Sequence, residues 1–302
     1  MFAGLKAVIK NLVYTTPGVN RLFFRYWVDR FRYSDEVKLR AQIGALGHAL
    51  DCHPSTCGER LGWMTTHLEF LLKEALRQRI EFDAQINWAT HLLARTRCKS
   101  DKEGAPQEGS QSDSAVLHQA DYVAMSSLIR GRRSIRKWCD DKAVPIGELR
   151  DIISDAAWAP SSCNRQPWQI MLLTSRQDIM FLSQYLPNRF YLKAQVLLLV
   201  VVDRQIYQPN ERSFAYLDAG AFIENLVLLA HAKGLGACWI GFKGWDCHAN
   251  IFLPGNLRKE FYRYFGVSPD KVPVSAVALG YPAERPQGPP RRPFDSMIIR
   301  TA

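Results

Sequence analysis

Ala159-Pro160-Ser161-Ser162-Cys163-Asn164-Arg165-Gln166-Pro167-Trp168 leads out of a helical stretch and into residues 169–174, whose apolar side chains read as a strand. Pro160 and Pro167 restrict the backbone on both sides, Ser161 and Ser162 supply small donors, and Asn164 and Gln166 each carry a donor and an acceptor. A planar heterocycle with alternating carbonyl and N–H groups needs that mixture. Read alone, the run is also compatible with an Asn/Ser turn before a strand. About two dozen residues earlier stands Arg132-Arg133-Ser134-Ile135-Arg136. Arg132, Ser134 and Arg136 share the parity of an extended segment and could face one ligand. Guanidinium groups hold phosphate through charge-assisted bonds worth roughly 1.5–3 kcal/mol each, although this run alone also reads as a solvated basic turn.

Around these runs the chain alternates. Residues 148–158 read as a helix, 169–174 as a strand, 195–203 as a buried strand, and 214–233 as a long helix apolar nearly all round. A strand at 237–242, a helix at 256–265 and a strand at 272–280 follow. The all-apolar helix, with Phe222, Ile223, Leu226 and Val227, is expected inside a domain or at a subunit interface. Composition changes sharply at 99–115, where Lys, Asp, Glu, Gly, Gln and Ser displace apolar residues. The expected organisation is a helical N-terminal extension over 1–98, a flexible linker over 99–120 and one larger unit over 121–302. In the extension, residues 65–93 place Leu68, Leu71, Leu72, Leu76 and Ile80 near helical spacing.

The 302 residues carry 39 Lys/Arg against 29 Asp/Glu, a net charge of +10 spread evenly along the chain. No basic run long enough for a nucleic-acid tail occurs, which points away from nucleic acid and towards small anionic substrates or cofactors. Seven cysteines without a CxxC fit reduced thiols in the cytoplasm. The longest wholly apolar run, 196–202, is too short to span a bilayer.

The two opening runs, the helix carrying Asp218-Ala219-Gly220 and Glu224-Asn225-Leu226, the stretch Gly234-Leu235-Gly236-Ala237-Cys238-Trp239-Ile240-Gly241, and Leu279-Gly280-Tyr281-Pro282 followed by Arg291-Arg292-Pro293 resemble, in this order, the nitroreductase family of FMN-dependent oxidoreductases. The resemblance covers roughly residues 122–299. It implies an α+β fold, with a mixed sheet flanked by helices, and an intertwined homodimer with two FMN sites at its interface. It also implies NADH or NADPH as electron donor and a small-molecule acceptor. Arg132, Arg133, Ser134 and Arg136 then resemble the first FMN segment, with Arg132 at the phosphate and Arg136 at the pyrimidine edge. Pro160, Ser161, Ser162, Asn164 and Gln166 resemble the segment that the partner subunit supplies. Ile240 and Gly241 match the strand that approaches the reactive flavin nitrogen, Arg291 and Arg292 the C-terminal phosphate contact, and Lys193, more loosely, a ring contact. A fixed guanidinium at the pyrimidine end would stabilise the charge that arrives with two electrons. Because the cofactor carries the hydride, no catalytic acid or base is named.

Two rivals stay open at this level: an FMN-dependent dehydrogenase or oxidase of a biosynthetic intermediate, and a flavin-binding assembly component docked through its N-terminal helices. The aromatic and basic residues at 22–33 could lie on a membrane surface, though packing against the larger unit is the stronger expectation. His48, Asp51, Cys52, His53 and Cys57 match no standard zinc spacing, so no metal is expected. Their region distantly resembles the N-terminal extension of nitroreductase-like proteins encoded among bacterial polysaccharide genes, from which His48-Ala49-Leu50-Asp51-Cys52-His53 departs. Cys163 and Cys238 are expected as small apolar fillers, and Trp168 and Trp239 as packing residues near the cofactor.

Overall fold

The computed structural model describes residues 36–52, 58–81, 83–100, 119–207, 211–242 and 255–299. The aromatic and basic segment at 22–33, His53 and Cys57 of the candidate metal cluster, and most of the expected linker lie outside these residues. The chain first builds α1 (Glu36–Cys52), α2 (Gly58–Arg77) and α3 (Ala84–Ser100). What reads in sequence as one helical stretch is divided between α2 and α3. Arg79 adopts a positive φ of 56°, and the Asp83 side chain caps α3 by accepting from Gln85 N (3.0 Å) and Ile86 N (3.2 Å). These helices bury their own core, which includes Leu39, Ile43, Leu68, Leu71 and Ile86.

Helices α4 (Gln119–Gly131) and α5 (Ile146–Ala156) precede β1 (Trp168–Leu173), α6 (Arg176–Phe181) and β2 (Val196–Asp203). Then follow α7 (Phe214–Ala232), β3 (Gly236–Gly241), α8 (Gly255–Phe265) and β4 (Lys271–Gly280). The four strands form one antiparallel sheet in the order β1-β2-β4-β3. Among the described residues a parallel component enters only at the isolated bridge between Ser134 and Ala237, at the outer edge of the sheet. β2 is buried along its whole length, as its unbroken apolar run predicts for a central strand. Its register with β4 shifts between Val200 and Val201, where the opposite residue is Pro273, which has no N–H to give to a ladder.

Helix α7 buries Ala219, Phe222, Ile223, Leu226 and Val227, and Phe222 stacks on Trp168 with ring centroids 5.1 Å apart. The fold is therefore α+β: an antiparallel sheet with helices packed on it, and a helical layer that has a separate core. Helix α1 belongs to both cores. Leu39 and Ile43 enter the helical core, whereas Ala41 enters the core of the sheet. Lys38 on the same helix pairs with the fully buried Asp203 at the end of β2 (3.8 Å), which Lys271 also approaches at 3.1 Å.

Candidate active site

The Arg132–Arg136 run lies along the free edge of β3. Ser134 pairs with Ala237 in parallel sense, Ile135 N donates to Ala237 O (3.0 Å), and Trp138 Nε1 donates to Gly236 O (2.9 Å). Gly236 permits this closeness, because a Cβ there would sit 2.8 Å from Ile135. The extended parity read from sequence is what the structure shows. Arg132, Ser134 and Arg136 all act on one group, the buried Cys238 thiol: burial pushes its pKa up, while the guanidinium groups of Arg136 and Arg132 and a hydrogen bond with Ser134 pull it down.

Arg136 is positioned twice. Its backbone N donates to Glu284 Oε1 (2.7 Å), which also accepts from Lys137 N (3.1 Å), and its guanidinium lies over the Phe190 ring, 5.5 Å from the centroid. Arg133 turns back to donate to Arg130 O (2.6 Å) and Arg132 O (2.7 Å), and the C-terminal tail packs on it at Gly288. Arg132 N donates to Leu128 O (3.0 Å), while its guanidinium has no hydrogen-bond or ion-pair partner among the described residues. With Arg133 it faces His231, whose pKa is lowered first by burial and then by these two cations. Arg291 and Arg292 are exposed on the tail, with Arg291 donating to Pro289 O (3.2 Å).

The second run folds into a tight turn. Asn164 N donates to Ser161 O (2.9 Å), Gln166 N to Ser161 Oγ (3.0 Å), and Gln166 Nε2 to Asn164 Oδ1 (3.0 Å). Cys163, Asn164 and Gln166 have φ of 53°, 52° and 47°, in the left-handed region that costs a side-chain-bearing residue roughly 1–2 kcal/mol. Such strain persists only where the surroundings fix it. Asp218 on α7, 6% exposed, accepts from Ser162 N (3.0 Å), Ser162 Oγ (3.1 Å) and Tyr207 Oη (2.5 Å). Burial and the Asp218 hydrogen bond raise the Tyr207 pKa far above its usual value, so Tyr207 stays a donor. Arg165 lies over the Tyr207 ring and pairs with Glu211 at 3.0 Å.

Sequence reading named neither Tyr207 nor Glu284 nor Phe190, and it met Asp218 only as part of the α7 motif. A buried Asp in an apolar helix was the available signal for the last. Cys238 is buried, as a filler should be, but Cys163 is exposed, against that expectation, in the left-handed turn, and Trp239 is 43% exposed. Asn225 satisfies backbone, donating to Ala156 O (3.5 Å). No group of three metal-ligating side chains forms among the described residues. No described helix is long and apolar enough to cross a membrane.

Within the chain the two runs stand apart. The Ser134 segment flanks β3 at one edge of the sheet and the Ser161–Gln166 loop enters β1 at the other, four inter-strand spacings or about 19 Å away. They also occupy opposite strand ends. Trp168 is level with Val202 and Val272, whereas Ala237 is level with Leu279 and Val196. Helix α7 gives the same measure, since Asp218 holds the loop and His231 sits beside Arg132 and Arg133, about 20 Å further along the helix.

A family profile described as the nitroreductase family matches residues 129–191 and 180–281. A putative NADH dehydrogenase/NAD(P)H nitroreductase of Methanothermobacter thermautotrophicus is 32% identical over 160 residues, spanning 52% of this chain and 77% of that protein. A protein of Archaeoglobus fulgidus with the same description is 28% identical over 167 residues, covering 52% of this chain and 84% of its own. The crystal structure of a putative NADH dehydrogenase/NAD(P)H nitroreductase from Bacteroides thetaiotaomicron superposes with a TM-score of 0.50 at 20% identity, covering 59% of this chain and 98% of that one, which supports the fold alone. The profile takes in both runs and all four strands, and the chain belongs to the nitroreductase family of oxidoreductases.

Proposed function

We propose that this chain is an FMN-dependent oxidoreductase that takes two electrons from NADH or NADPH and passes them to a small electrophilic acceptor in a ping-pong cycle. The observation that carries the reading is the parallel register of the first run with β3. With Ser134 beside Ala237, the direction from Arg132 to Arg136 is also the direction along β3 towards Ile240 and Gly241. A phosphate group at Arg132, a pyrimidine edge at Arg136 and a reactive nitrogen at Gly241 then follow one another along a single line. Arg132, whose guanidinium no protein group among the described residues satisfies, is suited to the phosphate.

When bound, FMN supplies hydride acceptance and donation. The chain's own residues do the rest. Arg136, fixed by Glu284 and Phe190, presents a permanent cation where negative charge develops. The Ser161–Gln166 loop presents hydroxyl and amide groups for a ring edge, and Arg292 on the tail joins Arg132 at the phosphate. Because the two runs stand about 20 Å apart in one protomer, the loop serves the site of the partner subunit in a homodimer. Apolar surface supports the dimer: α4 buries no residue and exposes Tyr122, Val123, Met125 and Ile129, while α7 exposes Leu217 and the tail exposes Phe294 and Ile299. A cytoplasmic location rests on the cysteine usage alone.

Anaerobic titration of the purified protein with each nicotinamide tests this reading. Yellow holoprotein bleached by NADH or NADPH and reoxidised by a nitroaromatic or quinone is expected. Protein that stays colourless after incubation with excess FMN refutes it, and reduction only by an organic intermediate reverses the direction.

A further inference from the structure

Helix α1 carries a glycine where it meets the Ser161–Gln166 loop. A Cβ on Gly44 would lie 2.5 Å from Asn164 O and 2.8 Å from Gln85 Nε2, so α1 and the loop backbone approach more closely than any other residue allows. Gln85, on α3, also donates to Arg40 O of α1 at 3.3 Å. The approach falls on the most strained part of the loop, where Cys163, Asn164 and Gln166 are all left-handed. Asp218 holds the loop only at Ser162, and Ser161 holds it only from within. The Asn164 carbonyl is where α1 reaches it from outside.

Helix α1 is itself firmly placed. Ala41 enters the core of the sheet, Lys38 pairs with the buried Asp203 and with Asp270 (3.9 Å), and the opposite side of the helix is packed into the separate core of α2 and α3. A rigid, doubly anchored helix therefore bears on a strained loop through a glycine contact.

We propose that α1 is a clamp for the Ser161–Gln166 loop, with Gly44 as a positioning residue that sets the Asn164–Gln166 amides in ligand-binding orientation. This rests on the reading of the loop as part of the flavin site. The helical N-terminal layer thus belongs to the binding machinery of the sheet domain, and an added methyl at position 44 displaces the loop rather than the helix.

The test uses the full-length protein and two glycines on the same helix. Gly44→Ala pushes on the loop. Gly47→Ala introduces an equally close contact, 2.6 Å, but with Trp88 of α3 and away from the loop. FMN affinity is read by flavin fluorescence titration, and amide exchange over residues 159–168 is read by mass spectrometry in FMN-free protein. Gly44→Ala is expected to weaken FMN binding at least tenfold and to speed exchange in the loop, while Gly47→Ala lowers thermal stability and changes neither. Unchanged FMN affinity and exchange in Gly44→Ala, or an equal loss of affinity in Gly47→Ala, overturns the clamp. Should Gly44→Ala fail to fold, Lys38→Ala loosens the helix without touching the loop, and loop exchange no faster than in the parent overturns the proposal. If the parent protein binds no FMN, the flavin reading fails by itself, and the exchange arm still decides on the clamp.

Discussion

Replacing Asp218 by asparagine tests how the loop is held. The carboxylate is 6% exposed and accepts three hydrogen bonds, from Ser162 N, Ser162 Oγ and Tyr207 Oη. Asparagine with its oxygen in the Oδ2 position still accepts from Ser162 N and Tyr207 Oη, and the Ser162 hydroxyl, which donates to Oδ1, can rotate to accept from the NH2 group placed there. The loss is then the charge assistance of three bonds, or roughly 2–4 kcal/mol. For a domain of this size that lowers Tm by about 5–12 °C. Part of the loss falls on the left-handed turn, so FMN affinity drops roughly tenfold. Tyr207→Phe removes a single hydroxyl and is expected to cost about 1–1.5 kcal/mol with little effect on the loop. Thermal unfolding with and without saturating FMN, read beside FMN titration, measures both. An Asp218→Asn protein within about 0.5 kcal/mol of the parent would refute the argument that this carboxylate fixes the turn, and so would a Tyr207→Phe protein that loses as much FMN affinity.

Arg136→Gln removes the cation over Phe190 and should make the two-electron FMN potential more negative by about 30–60 mV, equivalent to roughly 1.4–2.8 kcal/mol. Redox titration against a dye of known potential checks it, and an unchanged potential would place the pyrimidine edge elsewhere. Gly236→Ala brings a methyl against Ile135 and should peel the Arg132–Arg136 run from β3, so that the protein is purified without flavin and unfolds at lower temperature. His67, stacked between Trp63 (5.6 Å) and Phe70 (6.1 Å), is pushed down to about 4 by burial. The unfolded chain therefore takes up a proton below about pH 6.5 that the folded protein refuses until pH 4. Stability should fall by at most about 3 kcal/mol across that window and be constant above it. His67→Leu should flatten the slope between pH 6.5 and 4, and an unaltered slope would assign the acid sensitivity to another group.

Much of the sheet domain was legible because its pattern is local. The 196–202 apolar run reads as a buried strand, and the boundaries of α7, α8 and all four strands fall within one or two residues of those read from the sequence. The Arg132–Arg136 parity was legible for the same reason, since an extended backbone alternates its side chains whatever it pairs with. Partners distant in sequence were not legible. Glu284 reaches the Arg136 amide across 148 positions, and nothing in Glu284 itself reports that. The left-handed φ of Cys163 could not be read, because residue type disfavours it and only the surroundings impose it. The division of the 65–93 stretch into two helices depended on a positive φ at Arg79 for the same reason.

That the Arg132–Arg136 run and the Ser161–Gln166 loop serve one flavin from different subunits is tested most directly by mixing two defective proteins. Arg132→Ala alone and Gln166→Ala alone should each bind FMN poorly, because every site in either homodimer carries a defect. After subunit exchange, a mixed dimer holds one site with both defects and one with neither. Equal amounts then recover roughly a quarter of the parent's tight FMN sites, counted by fluorescence titration. Recovery near that fraction is the predicted result. No recovery, despite mixed dimers demonstrated by native mass spectrometry, would mean that both runs serve the flavin within a single protomer.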